Sequence, residues 1–244
     1  MFEEIEIRFI GGAGYMIRHG GRTIGLDLYL TDSCRRNGTD SFKRLVPCPV
    51  RPENLRLDAI LASHEHGDHF DIGSVPQLME NNPAAMLFGP ISVLETADQI
   101  GVDLRRTRCV QRGESLSVCD TTVTATYCDH GEDSPHAVGF LIDVSGKRLF
   151  FVGDCRYSDT WSEEVGDIGK VDFMMVPING AYGNPDAVQA AKMVAAIDPL
   201  IAVPCHYWLF REHGGDPAQF EKACDELGIL PSVRFLAVGE SFFL

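Results

Sequence analysis

The sequence predicts an α+β fold of the four-layer αββα kind, two β-sheets packed on one another with helices outside, in a single domain over residues 1–244. Three observations carry this. Short apolar runs of strand character keep stopping abruptly at polar or glycine-rich corners. The early runs are joined by hairpin-like corners, whereas the later ones alternate with helical segments, which suits packed sheets better than one doubly wound parallel sheet. No Ser/Gly/Pro-rich linker or low-complexity tract divides the chain, although an internal duplication too diverged to see by eye stays open.

Taken in order, "IEIRFI" ends at Gly11-Gly12-Ala13-Gly14, and "RTIGLDL" carries Asp27 near its end, together an opening hairpin of alternating pattern. "LDAILA" runs into "SHEHGDHF", Ser63 to Phe70. "TVTATYC" then ends at Asp129-His130, "RLFFV" at Gly153-Asp154, "VDFMMVPI" at Asn179-Gly180 and "PLIAVPC" at His206. Five of these runs deliver a candidate ligand or polar anchor just past their last apolar residue. Helices fill the gaps. Asn184-Pro185 reads as N-cap and first position of a helix over "DAVQAAKMVAAI", with Val188, Ala191, Val194 and Ala195 on one face and Pro199 as stop. "GSVPQLMENN", "ISVLETADQIG" and "DPAQFEKACDELG" read the same way, the last with Asp216 as cap and Gly228 as stop.

A formal charge of -14 disfavours nucleic acid as a partner, since the summed field repels phosphates. A small molecule fits better. The opening "MFEEIEIRFI" is acidic where a secretory signal is basic, and no apolar run approaches the roughly 20 residues of a membrane span, so the expected location is the cytoplasm, with no membrane partner. The eight cysteines form no CxxC pair and read as small buried hydrophobes in a reducing compartment. The oligomeric state stays open, a homo-oligomer included.

"SHEHGDHF" puts three histidines, a glutamate and an aspartate into eight residues directly after an apolar run. His64 and His66 are two apart, so on an extended segment they point the same way and can grip one ion. Gly67 lets the chain turn and aim Asp68 and His69 at a second position. Imidazole and carboxylate donors without a thiolate pattern suit zinc, manganese or iron. Against this stands a polar loop whose histidines cap the next helix. Glu65 is expected to face away from the ions, His19 to sit in solvent, and Cys128, Cys155 and Cys205 to pack in the core.

His64-x-His66-x-Asp68-His69, with the later strand-end stations His130, Asp154 and His206, resembles the metallo-β-lactamase-fold hydrolases almost end to end. Within them, "DAILASHEHGDHFD", "FFVGDCRYSD", "INGAYGNPD" and "VPCHYWLF" are similar to the L-ascorbate-6-phosphate lactonase branch, which has a longer leading segment and tail. The resemblance implies two divalent metal ions. His64, His66 and His130 would hold one, Asp68, His69 and His206 the other, with Asp154 bridging. His136, six positions after His130, is the competing third ligand, and the strand-end pattern favours His130. Two metals roughly 3.5 to 4 Å apart can share a hydroxide as nucleophile and polarise a carbonyl or phosphoryl oxygen. Asp68 and His206 are the candidate catalytic residues, Asp68 as orienter or proton acceptor.

Residues 31–57 form the longest aperiodic stretch and hold Arg35, Arg36, Lys43, Arg44, Arg51 and Arg56, either a positive lid for a small anionic substrate or a solvated loop. Arg156 and Tyr157, just past Asp154, suit a phosphate or carboxylate. Asn179, Tyr182 and His213, with Tyr207, Trp208 and Arg211, also follow strand ends as substrate contacts. The expected activity is opening of a lactone or ester, a phosphorylated sugar-acid lactone being the concrete choice. The alternatives are a phosphodiesterase or nuclease of the same fold, and a metal-binding sensor or scaffold without turnover.

Overall fold

The thirteen strands among the described residues fall into two sheets that obey one connection rule. The computed structural model describes residues 4–244, so Met1, Phe2 and Glu3 of the acidic opening lie outside the described residues. The chain divides into two compact units, the first running to Gln111 with Leu209–Arg211 and Leu236–Leu244, the second comprising Arg112–Trp208 and Glu212–Phe235.

In the first unit, β1 (Glu6–Gly11), β2 (Gly14–His19) and β3 (Arg22–Leu26) form an antiparallel meander. β4 (Ala59–Leu61), β5 (Met86–Gly89) and β6 (Thr107–Cys109) extend it in parallel. α1 (Val75–Asn81) links β4 to β5, and α2 (Ile91–Gln99) follows β5. In the second unit, β7 (Ser115–Val118), β8 (Thr121–Thr126), β9 (Gly139–Val144) and β10 (Lys147–Phe151) are antiparallel. After α3 (Trp161–Val165), β11 (Phe173–Pro177) and β12 (Ile201–Cys205) continue in parallel, joined by α4 (Ala187–Ile197) and followed by α5 (Pro217–Glu226). β13 (Ser241–Phe243) returns to the free edge of β1, as β7 lies beside β8. Strands β1 to β5 and β8 to β12 therefore share one order and one sequence of senses, each set with an antiparallel edge strand beside its first member.

Local chemistry explains the elements. In β1 the alternation buries Ile7 and Phe9 and leaves Glu6 and Arg8 half-exposed, as a period of two requires. Gly20-Gly21, Cys119-Asp120 and Ser145-Gly146 all take positive φ, the handedness that two-residue hairpins need to match strand twist. β11 is buried at every position, which only a strand covered on both faces can be. Phe150 and Val152, with Met174 and Val176, pack under α3, α4 and α5 through Trp161, Ala190, Val194 and Phe220. Ile60, Ala62 and Leu87 likewise pack with Val75 and Leu78 of α1 and Val93 and Ala97 of α2.

α4 starts later than the sequence suggests. Its N-cap is Asp186, whose carboxylate accepts from the Val188 and Gln189 N–H groups while the Gln189 side chain accepts from the Asp186 N–H. This reciprocal box satisfies more end groups than Asn184-Pro185 can, and it rotates the buried stripe to Ala187, Ala190, Ala191 and Val194. Val188 and Ala195, expected inside, are exposed. Asp216 caps α5 as expected, accepting from the Ala218 N–H.

Candidate functional site

In the first unit the ligand-type residues gather where β4 ends, and the segment is bent rather than extended. The N–H groups of His69 and Phe70 both donate to the His66 carbonyl, at 2.9 and 2.8 Å, so the chain curls into a turn. Gly67 lies within this turn, as expected. Its φ is ordinary, but a Cβ there would lie 2.8 Å from the Cys34 sulfur, so the turn needs the missing side chain. The rings of His64 and His66 meet edge-on with Nε2 of one 3.0 Å from Nδ1 of the other, and the His69 ring centroid is 4.1 Å from that of His64. Asp68 stays partly exposed, 3.7 Å from His69 Nε2. Glu65 turns away and accepts from Ser92 Oγ at 2.6 Å.

Two acids without an expected role are buried near this cluster, and the first of them holds it. Asp27, just past β3 and itself in left-handed backbone at φ 44°, accepts from the Ser63 N–H at 2.7 Å and lies 2.6 Å from His69 Nδ1. That contact leaves His69 presenting Nε2, the arrangement in which a carboxylate orients a ligand imidazole. Ser63 Oγ also donates to Asp27 and lies 2.9 Å from His64 Nδ1, so one carboxylate holds His69 directly and His64 through the serine. Burial pushes the Asp27 carboxyl up, against the hydrogen bonds from His69 and Ser63 that pull it down. Ligand atoms of Asp27, His64 and His69 lie within 4.8 Å of one another. Asp71 is buried, and its two oxygens accept from the N–H groups of Leu30, Thr31 and Gly73 and the hydroxyls of Thr31, Ser33 and Ser74. The one readable signal for Asp27 is its place at a strand end, shared with Asp154; Asp71 had only its neighbourhood in "HFD".

The basic loop folds back on its own unit. Arg35 and Lys43 pair with Asp40, Arg51 with Glu53, and Arg44 donates to the Tyr29 carbonyl at 2.7 Å while covering its ring. Phe42 and Tyr29 pack edge-on against Phe210. Three of its six cations thus pair with acids of the loop, while Arg44 and Arg56 donate to carbonyls and Arg36 lies over the Phe42 ring.

In the second unit Asp154, His130 and His206 come together and are buried. Asp154 Oδ2 lies 3.3 Å from His206 Nε2 and 3.8 Å from His130 Nε2, so one carboxylate oxygen faces two imidazole edges. His206 adopts left-handed backbone at φ 60° directly after β12. His213, expected only as a substrate contact, is buried with its ring centroid 4.5 Å from that of His206. His136 is exposed and lies in a turn before β9 rather than starting the strand. His130 sits four residues past β8, and Arg112 fixes that stretch by donating to the carbonyls of Cys128, Pro135 and Ala137.

The three cysteines are buried. The Cys128 thiol donates to the Asp154 carbonyl at 2.9 Å, and Cys155 sulfur accepts from Trp161 Nε1 at 3.3 Å. Burial pushes the Cys128 thiol well up, and the neighbouring Cys128 side chain pulls that of Cys155 down. Arg156 is exposed, its guanidinium lying against Gly131 and Gly183. Tyr157 spends its hydroxyl on Asp159 at 3.0 Å. Asn179 is buried with its side-chain oxygen accepting no hydrogen bond, and Tyr182 is exposed. His19 is half-buried rather than solvated.

The family description "Beta-lactamase superfamily domain" matches residues 25–207, three-quarters of the chain and every metal-ligand candidate expected from the sequence. A UPF0173 protein of Pyrococcus furiosus is 34% identical over 187 residues, covering 77% of this chain and 83% of its own. A UPF0173 metal-dependent hydrolase of Aeropyrum pernix is 28% identical over 97% of this chain and 96% of its own. Among solved structures, an isothiocyanate hydrolase from Delia radicum gut bacteria superposes with a TM-score of 0.78 at 17% identity, covering 97% of this chain and 98% of its own, a likeness of fold. The fold is thus the two-sheet α+β fold expected from the sequence, and the chain belongs to the UPF0173 family of metal-dependent hydrolases within the metallo-β-lactamase superfamily.

Proposed function

We propose that this protein opens a lactone or ester with two divalent metal ions, zinc or manganese before iron, in the manner of the lactonase branch that its motifs resemble. The observation that carries the reading is the chemistry of the donors. His64, His66, Asp68 and His69 in one unit, and His130, Asp154 and His206 in the other, are imidazoles and carboxylates, mostly buried, with Asp27 orienting His69 from behind. Such a set fits borderline divalent ions, and the cysteines nearby are engaged elsewhere. When bound, the ions supply a nucleophile from water at neutral pH and a Lewis acid for the substrate oxygen.

The chain's own residues do the rest. Asp27 and Ser63 hold the His64 and His69 rings in one tautomeric arrangement. Asp154, facing two Nε2 atoms, is the group suited to bridge. Asp68, the most exposed acid of the cluster, orients the attacking water or takes its proton. Arg156 meets an anionic substituent of a small substrate in the cytoplasm.

The fold-level neighbour named for isothiocyanate hydrolysis acts at an electrophilic carbon, as a lactonase does, which favours attack at carbon over a phosphodiester. The test is hydrolysis by metal-analysed protein of a phosphorylated sugar lactone, an isothiocyanate and an activated phosphodiester, with Asp68→Asn as control. Lactone turnover lost in the control supports the reading. Preference for the diester refutes carbon attack, and retained metal with no turnover of any of the three leaves a sensor or scaffold.

A further inference from the structure

Two large exposed rings of the second unit stand close to its ligand cluster, Tyr182 through its contact with His213 and Trp208 two residues past His206, and the metal chemistry uses neither. Tyr182 is 57% exposed and Trp208 56% exposed, each following a strand end, β11 for Tyr182 and β12 for Trp208. Isolated exposed rings are ordinary on a protein surface. These two differ in how they are held. Both sit in left-handed backbone, at φ 54° and 55°, which residues with a Cβ avoid unless the surroundings impose it, and His206, two residues before Trp208, shares the conformation.

Each ring is also gripped on one side. Tyr182 meets His213 edge-on, with centroids 5.9 Å apart at 65°, and His213 lies 4.5 Å from His206. Trp208 meets Tyr207 edge-on at 5.4 Å and 83°. The scaffold beneath is tight. Gly215, at φ 89°, passes so close that a Cβ would lie 2.7 Å from Tyr207 Cβ and 3.3 Å from Asn179 Cα. A Cβ on Gly214 would lie 2.5 Å from the Asn179 carbonyl oxygen. The segments bearing Asn179, Tyr207 and His213 are therefore packed backbone to side chain. An uninterrupted contact series, Tyr182 to His213 to His206, leads from solvent to a metal-ligand candidate.

Rigid aromatic faces held beside a reacting centre bind flat apolar groups by offset or edge stacking. We propose that Tyr182 and Trp208 form an aromatic subsite that stacks on a planar apolar group of the substrate, so that aryl-fused lactones and aryl esters are preferred over aliphatic ones. This rests on the reading of the protein as a lactone- or ester-opening hydrolase. Its occupant is the carbon skeleton of the substrate, distinct from any anionic substituent met by Arg156.

The test compares kcat/KM for dihydrocoumarin with that for δ-valerolactone, both uncharged, in metal-loaded wild type, Tyr182→Asn and Trp208→Asn. Asparagine tolerates left-handed backbone, so the ring is removed without forcing the loop. The aryl-to-aliphatic ratio is expected to fall about tenfold in each variant, about 1.4 kcal/mol at 25 °C. A second readout needs no turnover. The lactam analogue 3,4-dihydro-2-quinolinone should quench the fluorescence of Trp208, one of only two tryptophans, the other being the buried Trp161. Tyr182→Asn should weaken that binding, and Trp208→Asn should abolish the signal. An unchanged ratio in both variants together with no quenching overturns the inference while the hydrolase reading stands. Quenching that Tyr182→Asn weakens, in a protein that hydrolyses neither lactone, keeps the subsite and removes the hydrolase reading.

Discussion

Replacing Asp71 with alanine should destabilise the segments that flank the ligand turn, residues 30–33 and 73–74. The carboxylate is buried, and its Oδ2 accepts from Leu30 N–H at 2.9 Å, Thr31 N–H at 2.9 Å and Ser74 Oγ at 2.8 Å. Its Oδ1 accepts from Thr31 Oγ1 at 2.8 Å, Ser33 Oγ at 2.6 Å and Gly73 N–H at 2.9 Å. The three hydroxyls can rotate toward water or a carbonyl, but the three backbone N–H groups cannot. Each buried donor left without an acceptor costs about 1–3 kcal/mol. Leu30 is fully inside and takes the upper end, while the Thr31 and Gly73 groups are partly wetted and take the lower, giving about 3–5 kcal/mol in all. At this chain length that is a fall in Tm of roughly 10 °C. Asp71→Asn should cost less, about 1–2 kcal/mol, because its remaining oxygen can keep the Leu30 and Thr31 groups while hydroxyls reverse toward its amide. The assay is urea unfolding at constant m with metal content measured alongside. An alanine variant within about 1 kcal/mol of wild type would refute the reasoning, since so small a loss means the N–H groups find other acceptors.

Asp27→Asn should lower metal affinity by about 10- to 100-fold with the fold intact, as loss of an orienting carboxylate does, measured by competition with a chromophoric chelator. Asp154→Asn should remove at least one equivalent of metal altogether, and equal affinity loss in the two variants contradicts the separate roles given to them. Gly67→Ala should be destabilising because its methyl meets the Cys34 sulfur at 2.8 Å, and Cys34→Ala should rescue it in a double-mutant cycle; additive losses would locate the strain elsewhere. Asp172 is buried, which works against its charge, yet the Arg148 N–H at 3.0 Å and the Lys147 ammonium at 3.1 Å hold its carboxyl below the ordinary 3.8. A depressed folded value means that its contribution is present above 3.8 and lost as pH falls below it. Asp172→Asn should therefore cost about 1 kcal/mol in urea unfolding at neutral pH and progressively less in acid; a loss independent of pH would contradict the charge-based account.

What the sequence made legible is the chemistry that local order controls. Apolar runs stopping at His64, Asp154 and His206 mark strand ends because a buried strand cannot carry those groups and a strand end can. Helix stops at Pro199 and Gly228, and the Asp216 cap, follow from backbone rules acting within a few residues. What stayed hidden is set by distant partners. β13 is three residues that pair Phe243 with Glu6 across the whole chain, and no local pattern announces that partner. His64 and His66 converge, but through a turn closed on the His66 carbonyl rather than through the period of a strand. The cations of the 31–57 loop read as a positive field because their partners, Asp40 and Glu53, are chosen by loop geometry.

Asp27 and Asp154 show where the division lies. Each follows the third strand of its meander, β3 or β10, and each is buried beside histidines, so by topology and burial they are alike. The nitrogen they face separates them. Asp27 lies against Nδ1 of His69, with its remaining capacity given to Ser63, so it stands behind a ring whose other edge is left for a ligand. Asp154 faces Nε2 of both His130 and His206, so it lies among the ring edges rather than behind one of them, the position that the proposed reading gives to a donor. A carboxylate on the far nitrogen fixes the tautomer and raises ligand basicity, whereas one among the near nitrogens shares the ion. The same residue type at the same station of two similarly wound sheets thus meets its histidines at opposite ring edges, a distinction made by side-chain direction and invisible in spacing.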